Sequence, residues 1–333
     1  MDEEAVERLW RLFFPNSYRQ VERVRSKGTR FVHYTSAESG MAILRSNKML
    51  LRNSTLMNDF SEVHHGMNCL GAAYRGSFGD RLKTLMKSVQ EDLPDIVESN
   101  FGDQFSDVQS QTYLLSISEH GDLEHGDVLE DTFGRLSMWR AYANKNGIAF
   151  VFNNTPFVSE SNSINAFTSP VVYETPSTFE RYFAEIVTGL ENEIELVASA
   201  GGQFLHDSLI SAFRFAVQST KHPSFREERE WRVIYSPTLL LKDGLIDENK
   251  IEKIPTEVMI LNGIPQRVYA IPFQNYPEDG FVGATIPELI DRVLIGPSQD
   301  AYPIAQAFVS ELLRCGVENA HEKVIITGVP LRV

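Results

Sequence analysis

The sequence predicts an α+β fold carried by one elaborated domain. Three observations predict it. Short strand-type segments and helical stretches are interspersed along the whole chain. No Pro/Gly/Ser-rich linker, internal repeat or low-complexity segment divides the 333 residues, although a prior of roughly 150 residues per domain allows about two. Hydrophobic residues make up 42%, ample for a core, and charged residues 23%, close to the ordinary value of about 25%. On this reading residues 1–29 are an N-terminal helical extension and 30–333 the domain, with helical insertions near 61–110 and 176–220.

The elements follow in order. Leu9, Trp10, Leu12, Phe13 and Phe14 form a helical apolar stripe that Pro15 stops. Arg30 to Tyr34 reads as a short strand, Ser36 as the N-cap of a helix ending near Asn47, and Met49 to Arg52 as the next strand. Asn53 to Phe60 is turn-rich, Ser61 to Tyr74 helical, and a longer helical region runs from Asp80 to about Asn100. Tyr113 to Ser118 is a strand, and the acidic stretch Glu119 to Asp131, with Gly121 and Gly126, is expected to be a surface loop or mobile flap. Leu136 to Ala143 resembles a helix that Gly147 ends, followed by a buried strand at Ile148 to Phe152. Val171 to Tyr173 is another strand candidate, and Pro176 to about Thr220 predicts two helices broken at Gly201-Gly202. Glu228 to Tyr235 predicts a strand with Glu228, Glu230 and Arg232 on one face. Short strands near Met259, Val268 to Ile271 and Val293 to Ile295, a helix from Ala301 to Cys315 and a strand at Val324 to Ile326 complete the chain.

Forty-five acidic against thirty-one basic residues give a formal net charge of −14, which disfavours generic binding to nucleic acid or to an anionic membrane. Only Cys69 and Cys315 are present, too few for a disulfide framework and without zinc spacing. The acidic start lacks the features of a signal peptide, and no apolar run reaches the about 18 residues of a membrane span. A soluble cytoplasmic protein with no membrane partner is expected.

Two segments concentrate chemistry. His33, Tyr34, Thr35 and Ser36 stand at a strand end just before a helix, where free N–H groups and the positive dipole end favour a phosphate. The same residues also suit a plain helix cap. Glu228 and Glu230 are two apart and act together on one ligand if they share a face; Arg232 or Lys221 is the candidate cation between them. An exposed edge strand of alternating charge is the other reading. Trp139 and Tyr142, three apart on a helix, either fill core or stack on a ligand. His120 and His125 in the acidic loop make no recognisable metal set, and no metal site is expected. Dinucleotide-fold, P-loop, nucleophile-elbow and zincin motifs are absent.

Taken in order, His33-Tyr34-Thr35 with Ile43-Leu44, Asn58-Asp59 with Glu62, Met138-Trp139 with Tyr142 and Gly147, and Lys221 with Phe225, Glu228, Glu230 and Arg232 form a series. Ile295-Gly296-Pro297 and Val329-Pro330-Leu331-Arg332 close it. The series resembles the bacterial family known as domain of unknown function 2971, from about residue 30 to the C-terminus. More distantly, the His-Tyr-Thr strand, the Ile-Leu helix and the late Glu-x-Glu strand are similar to the ADP-ribosyltransferase superfamily. That resemblance implies a mixed-sheet core of that type, elaborated by helical insertions, and NAD as substrate. It implies that His33 binds a ribose hydroxyl and Thr35 supports the same loop, that Tyr142 or Tyr34 is the stacking ring with Trp139 also on the cofactor side, that Glu230 is the catalytic carboxylate and that Glu228 orients acceptor or ribose. The motif departs from the superfamily in placing the aromatic pair on a helix.

Three functions are thereby open. The first is an NAD-dependent ADP-ribosyltransferase or NAD glycohydrolase acting on a protein or nucleic-acid acceptor, an effector of antiphage or toxin systems restrained by a regulatory partner or oligomer. The second is a nuclease or RNA phosphotransferase using His33 with Arg229 and Arg232 on phosphates, against which the net charge counts. The third is a non-catalytic sensor in which His33 and Glu230 are buried and fully paired. A shared pocket for His33 and Glu230 is the expectation that separates them.

Overall fold

The computed structural model describes residues 3–56, 61–121, 128–142, 145–237, 253–261 and 263–330. The chain begins with helices α1 (Glu3–Phe13) and α2 (Pro15–Lys27). Pro15 ends the first helix as expected, but it also opens the second, since a residue without an N–H is tolerated at the first helical position. Strand β1 (Arg30–Ser36), helix α3 (Ala37–Ser46) and strand β2 (Lys48–Asn53) follow, with Ser36 Oγ accepting from the Ser39 N–H as the predicted N-cap. Helices α4 (Ser61–Tyr74), α5 (Ser77–Val89) and α6 (Leu93–Ser110) replace the two predicted in this region.

Strand β3 (Tyr113–His120) runs two residues past its predicted end, and α7 (Val128–Phe133) occupies part of the expected acidic loop. The flap expected between them, with His125, lies outside the described residues, as do Asn58, Asp59, Leu331 and Arg332. Next come α8 (Leu136–Tyr142), β4 (Gly147–Phe152), β5 (Phe167–Pro170), β6 (Val172–Tyr173), α9 (Glu180–Asn192) and α10 (Ile194–Gln218). The predicted break is a kink in α10 at Gly201, whose φ of 86° suits only glycine. Strands β7 (Thr220–Lys221), β8 (Glu230–Tyr235), β9 (Thr256–Leu261), β10 (Ile264–Pro272) and β11 (Ile290–Ile295) precede α11 (Ala301–Arg314) and β12 (Val324–Ile326).

Among the described residues one mixed sheet of ten strands has the path β12-β11-β4-β1-β3-β2-β10-β9, with β8 on the other edge of β3 and β5 beyond β8. The β11–β12 pair is parallel and the others antiparallel, so the fold is mixed α+β. Strand β3 forks. Its Ser118–His120 end pairs with β1, and its Tyr113–Leu114 end pairs with β2 along the same edge.

Apolar burial is the main driving force for this arrangement. One face of the sheet packs Phe31, Ile148, Phe150 and Trp231 against α2, α3 and α11. Gly40 lets α3 approach, since a Cβ there would stand 2.8 Å from Ile148. A second core joins α1, α4, α5, α6, α9 and α10. A small third cluster, Val32, Tyr34, Ala149, Val151 and Leu294, lies on the opposite face of the sheet under Met138 and Trp139 of α8. Among the described residues no helix is long and apolar enough to cross a membrane.

Candidate functional site

The carboxylate pair is built by a turn, not by a strand. Pro223–Glu228 is a 3-10 turn capped by His222, whose Nδ1 accepts from the Ser224 N–H at 3.2 Å. Arg229 then adopts φ 44° and ψ 47°, left-handed backbone that costs a residue with a Cβ about 1–2 kcal/mol. Its guanidinium pairs with Glu130, and its carbonyl accepts from the Glu119 N–H at 3.0 Å. Arg135 donates to the Glu227 and Glu228 carbonyls at 2.6 and 2.9 Å, tying down the end of the turn. Strand β8 therefore starts at Glu230, and the expected common strand face for Glu228 and Glu230 is corrected. The two converge because the left-handed Arg229 redirects the chain.

Lys221 is where they meet. Its Nζ lies 2.7 Å from Glu228 Oε2 and 3.2 Å from Glu230 Oε2, with the Phe225 ring 4.7 Å away. Glu230 Oε1 accepts from Ser116 Oγ at 2.6 Å and from Arg232 Nε at 3.0 Å, and Oε2 also accepts from an Arg232 amino group at 3.2 Å. The Glu230 N–H donates to the Tyr173 hydroxyl at 2.7 Å. Glu228 accepts from the Tyr142 hydroxyl at 3.0 Å.

Lys221, Glu230 and Arg232 are buried, whereas Glu228 and Tyr142 are half-buried. Burial alone raises the Glu230 carboxyl; Arg232 and then Lys221 outweigh it and bring the group to about 2. Burial, reinforced by the Glu228 charge, pushes the Tyr142 phenol up, and burial does the same at Tyr173. The result is a fixed anionic pair, charge-balanced by two cations and flanked by neutral phenols.

The first predicted segment lies elsewhere. Val32 stands opposite Ser118, and Ser118 opposite Glu230, so these three share a face of the sheet. His33, one residue on, projects from the other face. Its Nδ1–H donates to the Ser116 carbonyl at 3.0 Å, in the fork where β3 has lost its β1 partner. Burial lowers the His33 pKa, so the ring is neutral at pH 7. The expectation that His33 and Glu230 line one pocket is corrected: Ser116 lies between them, bonded to one through its backbone and to the other through its hydroxyl. Thr35 lies on the His33 side, half-buried.

Tyr34 and Trp139 are core. Their rings meet edge to face at 4.8 Å, Trp139 Nε1 donates to the Phe133 carbonyl, and the Tyr34 hydroxyl accepts from the Arg135 N–H at 2.8 Å. Burial pushes the Tyr34 phenol up to about 12. Gly134 and Gly296 close on the Trp139 indole, where a Cβ on either would stand within 2.9 Å. Neither ring offers a face to a ligand, so their assignment to cofactor stacking is corrected. Tyr142, on α8 beside Trp139, is half-buried against the same cluster and keeps its hydroxyl on Glu228.

The elements that converge on Lys221 thus start on α8 and end on β8. Residues 138–233 match the family model described as Protein of unknown function (DUF2971). The matched segment contains Trp139, Tyr142, Tyr173, Lys221, Glu228, Glu230 and Arg232, and leaves out His33, Tyr34 and Thr35. It covers less of the chain than the resemblance read from the sequence. No curated protein and no solved structure matches the chain.

Ser116, Arg135 and Tyr173 were missed by sequence reasoning. Ser116 and Ser118 had a readable signal, two hydroxyls at period two in the otherwise apolar stretch Tyr113–Ser118. Arg135 and Tyr173 had none, because their partners lie 92 and 57 residues away along the chain. Among the described residues no group of three or more His, Cys, Asp or Glu is arranged to hold a metal ion.

Proposed function

We propose that the protein cleaves NAD at the nicotinamide–ribose bond, as an ADP-ribosyltransferase or NAD glycohydrolase, with Glu228 as the carboxylate facing the ribose. The observation that carries this reading is the state of Glu228. It is half-buried and anchored by Lys221 and by the hydroxyl of the half-buried Tyr142. In the reaction the C1′–N bond breaks and nicotinamide leaves with its electron pair as a neutral ring. Positive charge builds on the ribose, as in glycoside cleavage, and a fixed carboxylate stabilises it. Water or an acceptor hydroxyl then forms the new C1′–O bond, and its proton passes to solvent or to the carboxylate.

This reading changes the division of roles between the glutamates. Glu230, saturated by Ser116, Arg232 and Lys221, is the positioning residue that holds Lys221 against Glu228. The finer reading of the sheet as ADP-ribosyltransferase-like is part of the same proposal. An acceptor protein or nucleic acid, and an effector role in antiphage or toxin systems through NAD loss, belong to the same proposal. Arg229 pairs with Glu130 and Arg232 with Glu230, so the cations that the nuclease reading would place on phosphates are already engaged.

The test is nicotinamide release from NAD by the purified protein, with cell lysate as a source of acceptors. Glu228→Gln should lower kcat by about 100-fold or more while circular dichroism stays that of the wild type. Failure of the wild type to release nicotinamide with lysate present sinks the proposal. The saturation of Glu230 also favours a second reading, a non-catalytic binding protein with a structural charge cluster. That reading predicts that wild type and Glu228→Gln are equally inert toward NAD.

A further inference from the structure

A cavity of about 590 Å³ lies on the face of β3 and β8 turned away from Glu230. Its size falls within the roughly 300–1,000 Å³ of small-molecule sites. Thr168, Val233 and Leu115 stand side by side across β5, β8 and β3 and form part of its floor. Met49 and Ile271, paired on β2 and β10, continue that floor. Five adjacent strands at about 4.8 Å spacing make a trough roughly 19 Å long. Trp10, Phe14, Val21, Phe157 and Val158 also line it.

Close-packed interiors hold few voids larger than a water molecule, and apolar walls hold water poorly. A long, predominantly apolar trough of this volume, with polar lining at Ser161, Asn162 and Ser211, is therefore shaped for an occupant. Charge is confined to the rim, where Arg11, Glu22, Arg25 and Glu160 are exposed. Arg25 bridges that rim, 2.8 Å from the Val158 carbonyl and 2.9 Å from Glu160. Exposed ion pairs of this kind are weak and exchange readily for another partner. We propose that the trough binds a long acyl chain, extended along the cross-strand floor with its polar head at the Arg11–Arg25 rim. The chemistry is shared by free fatty acids and neutral acyl esters.

The test uses the full chain and does not involve NAD, so its outcome is separate from that of the proposed activity. Dansyl-undecanoic acid is titrated against the protein and then displaced with palmitate or with monopalmitoylglycerol. Saturable fluorescence and displacement are expected. Displacement by palmitate alone assigns a free acid, by the glyceride alone a neutral ester, and by both an acyl chain with its head outside. Ala166→Trp and Ala284→Trp, each on the cavity lining, should weaken probe binding about tenfold or more while circular dichroism stays that of the wild type. No saturable binding, displacement by neither lipid, or undiminished binding in a folded tryptophan variant overturns the proposal. If both variants fail to fold, the wild-type titration and displacement decide alone.

Discussion

Removing the charge of Glu230 while keeping its shape leaves Lys221 and Arg232 buried beside a neutral amide. Breaking one member of such a network typically costs about 3–5 kcal/mol, so Glu230→Gln should lower the urea midpoint with an unchanged m value. The acid response follows in sign. The folded carboxyl, at about 2, lies below its ordinary 4.5, so its contribution is present above pH 4.5 and is lost as pH falls toward 2. Stability measured against pH should drop through that window in the wild type and stay flatter in Glu230→Gln. His120 acts in a different window. Burial, then the charge of Arg30, lowers its pKa from 6.5 to about 4, so its contribution is present above pH 6.5 and lost toward pH 4. His120→Gln should flatten the stability profile between those values, and an unchanged slope there would show that the ring does not titrate as described.

At the scale of elements, close approach sets the limits. A Cβ on Gly66 would stand 2.2 Å from the Val217 carbonyl, where α4 crosses α10. Backbone cannot retreat as a side-chain tip does, so Gly66→Ala should separate the helices and cost on the order of 2–4 kcal/mol in a denaturant melt. Native-like stability in that variant would mean that the helices slide freely. The fork in β3 was not legible, because it depends on which strands share an edge. The strand at Glu230 was legible from its apolar alternation, but its start was not. Glu228 reads as strand by pattern, and only the left-handed Arg229 ends that run.

Across the whole molecule, β9 closes the described sheet as an edge strand and leaves Val258 at 78% and Ile260 at 73% exposed. Edge strands with bare apolar residues invite pairing with other chains. The double substitution Val258→Lys with Ile260→Lys should keep the melting temperature within about 2 °C and reduce light scattering on heating. Equal scattering would place the aggregating surface elsewhere.

The sequence by itself determined the mixed α+β class, most helices and strands, the break at Gly201 and the pairing of Glu228 and Glu230 with Lys221 and Arg232. Periodicity, caps and charge are local, so they are readable along the chain. Only the tertiary structure decided which residues share a side of the sheet. Strand pairing sends His33 to one face and Glu230 to the other, buries Tyr34 against Trp139, and brings Ser116 and Tyr173 to the glutamate. Those relations depend on register between strands distant in sequence, and a shift of one residue reverses every one of them. The two polar segments that stood out along the chain are thus joined through the backbone and side chain of a single serine.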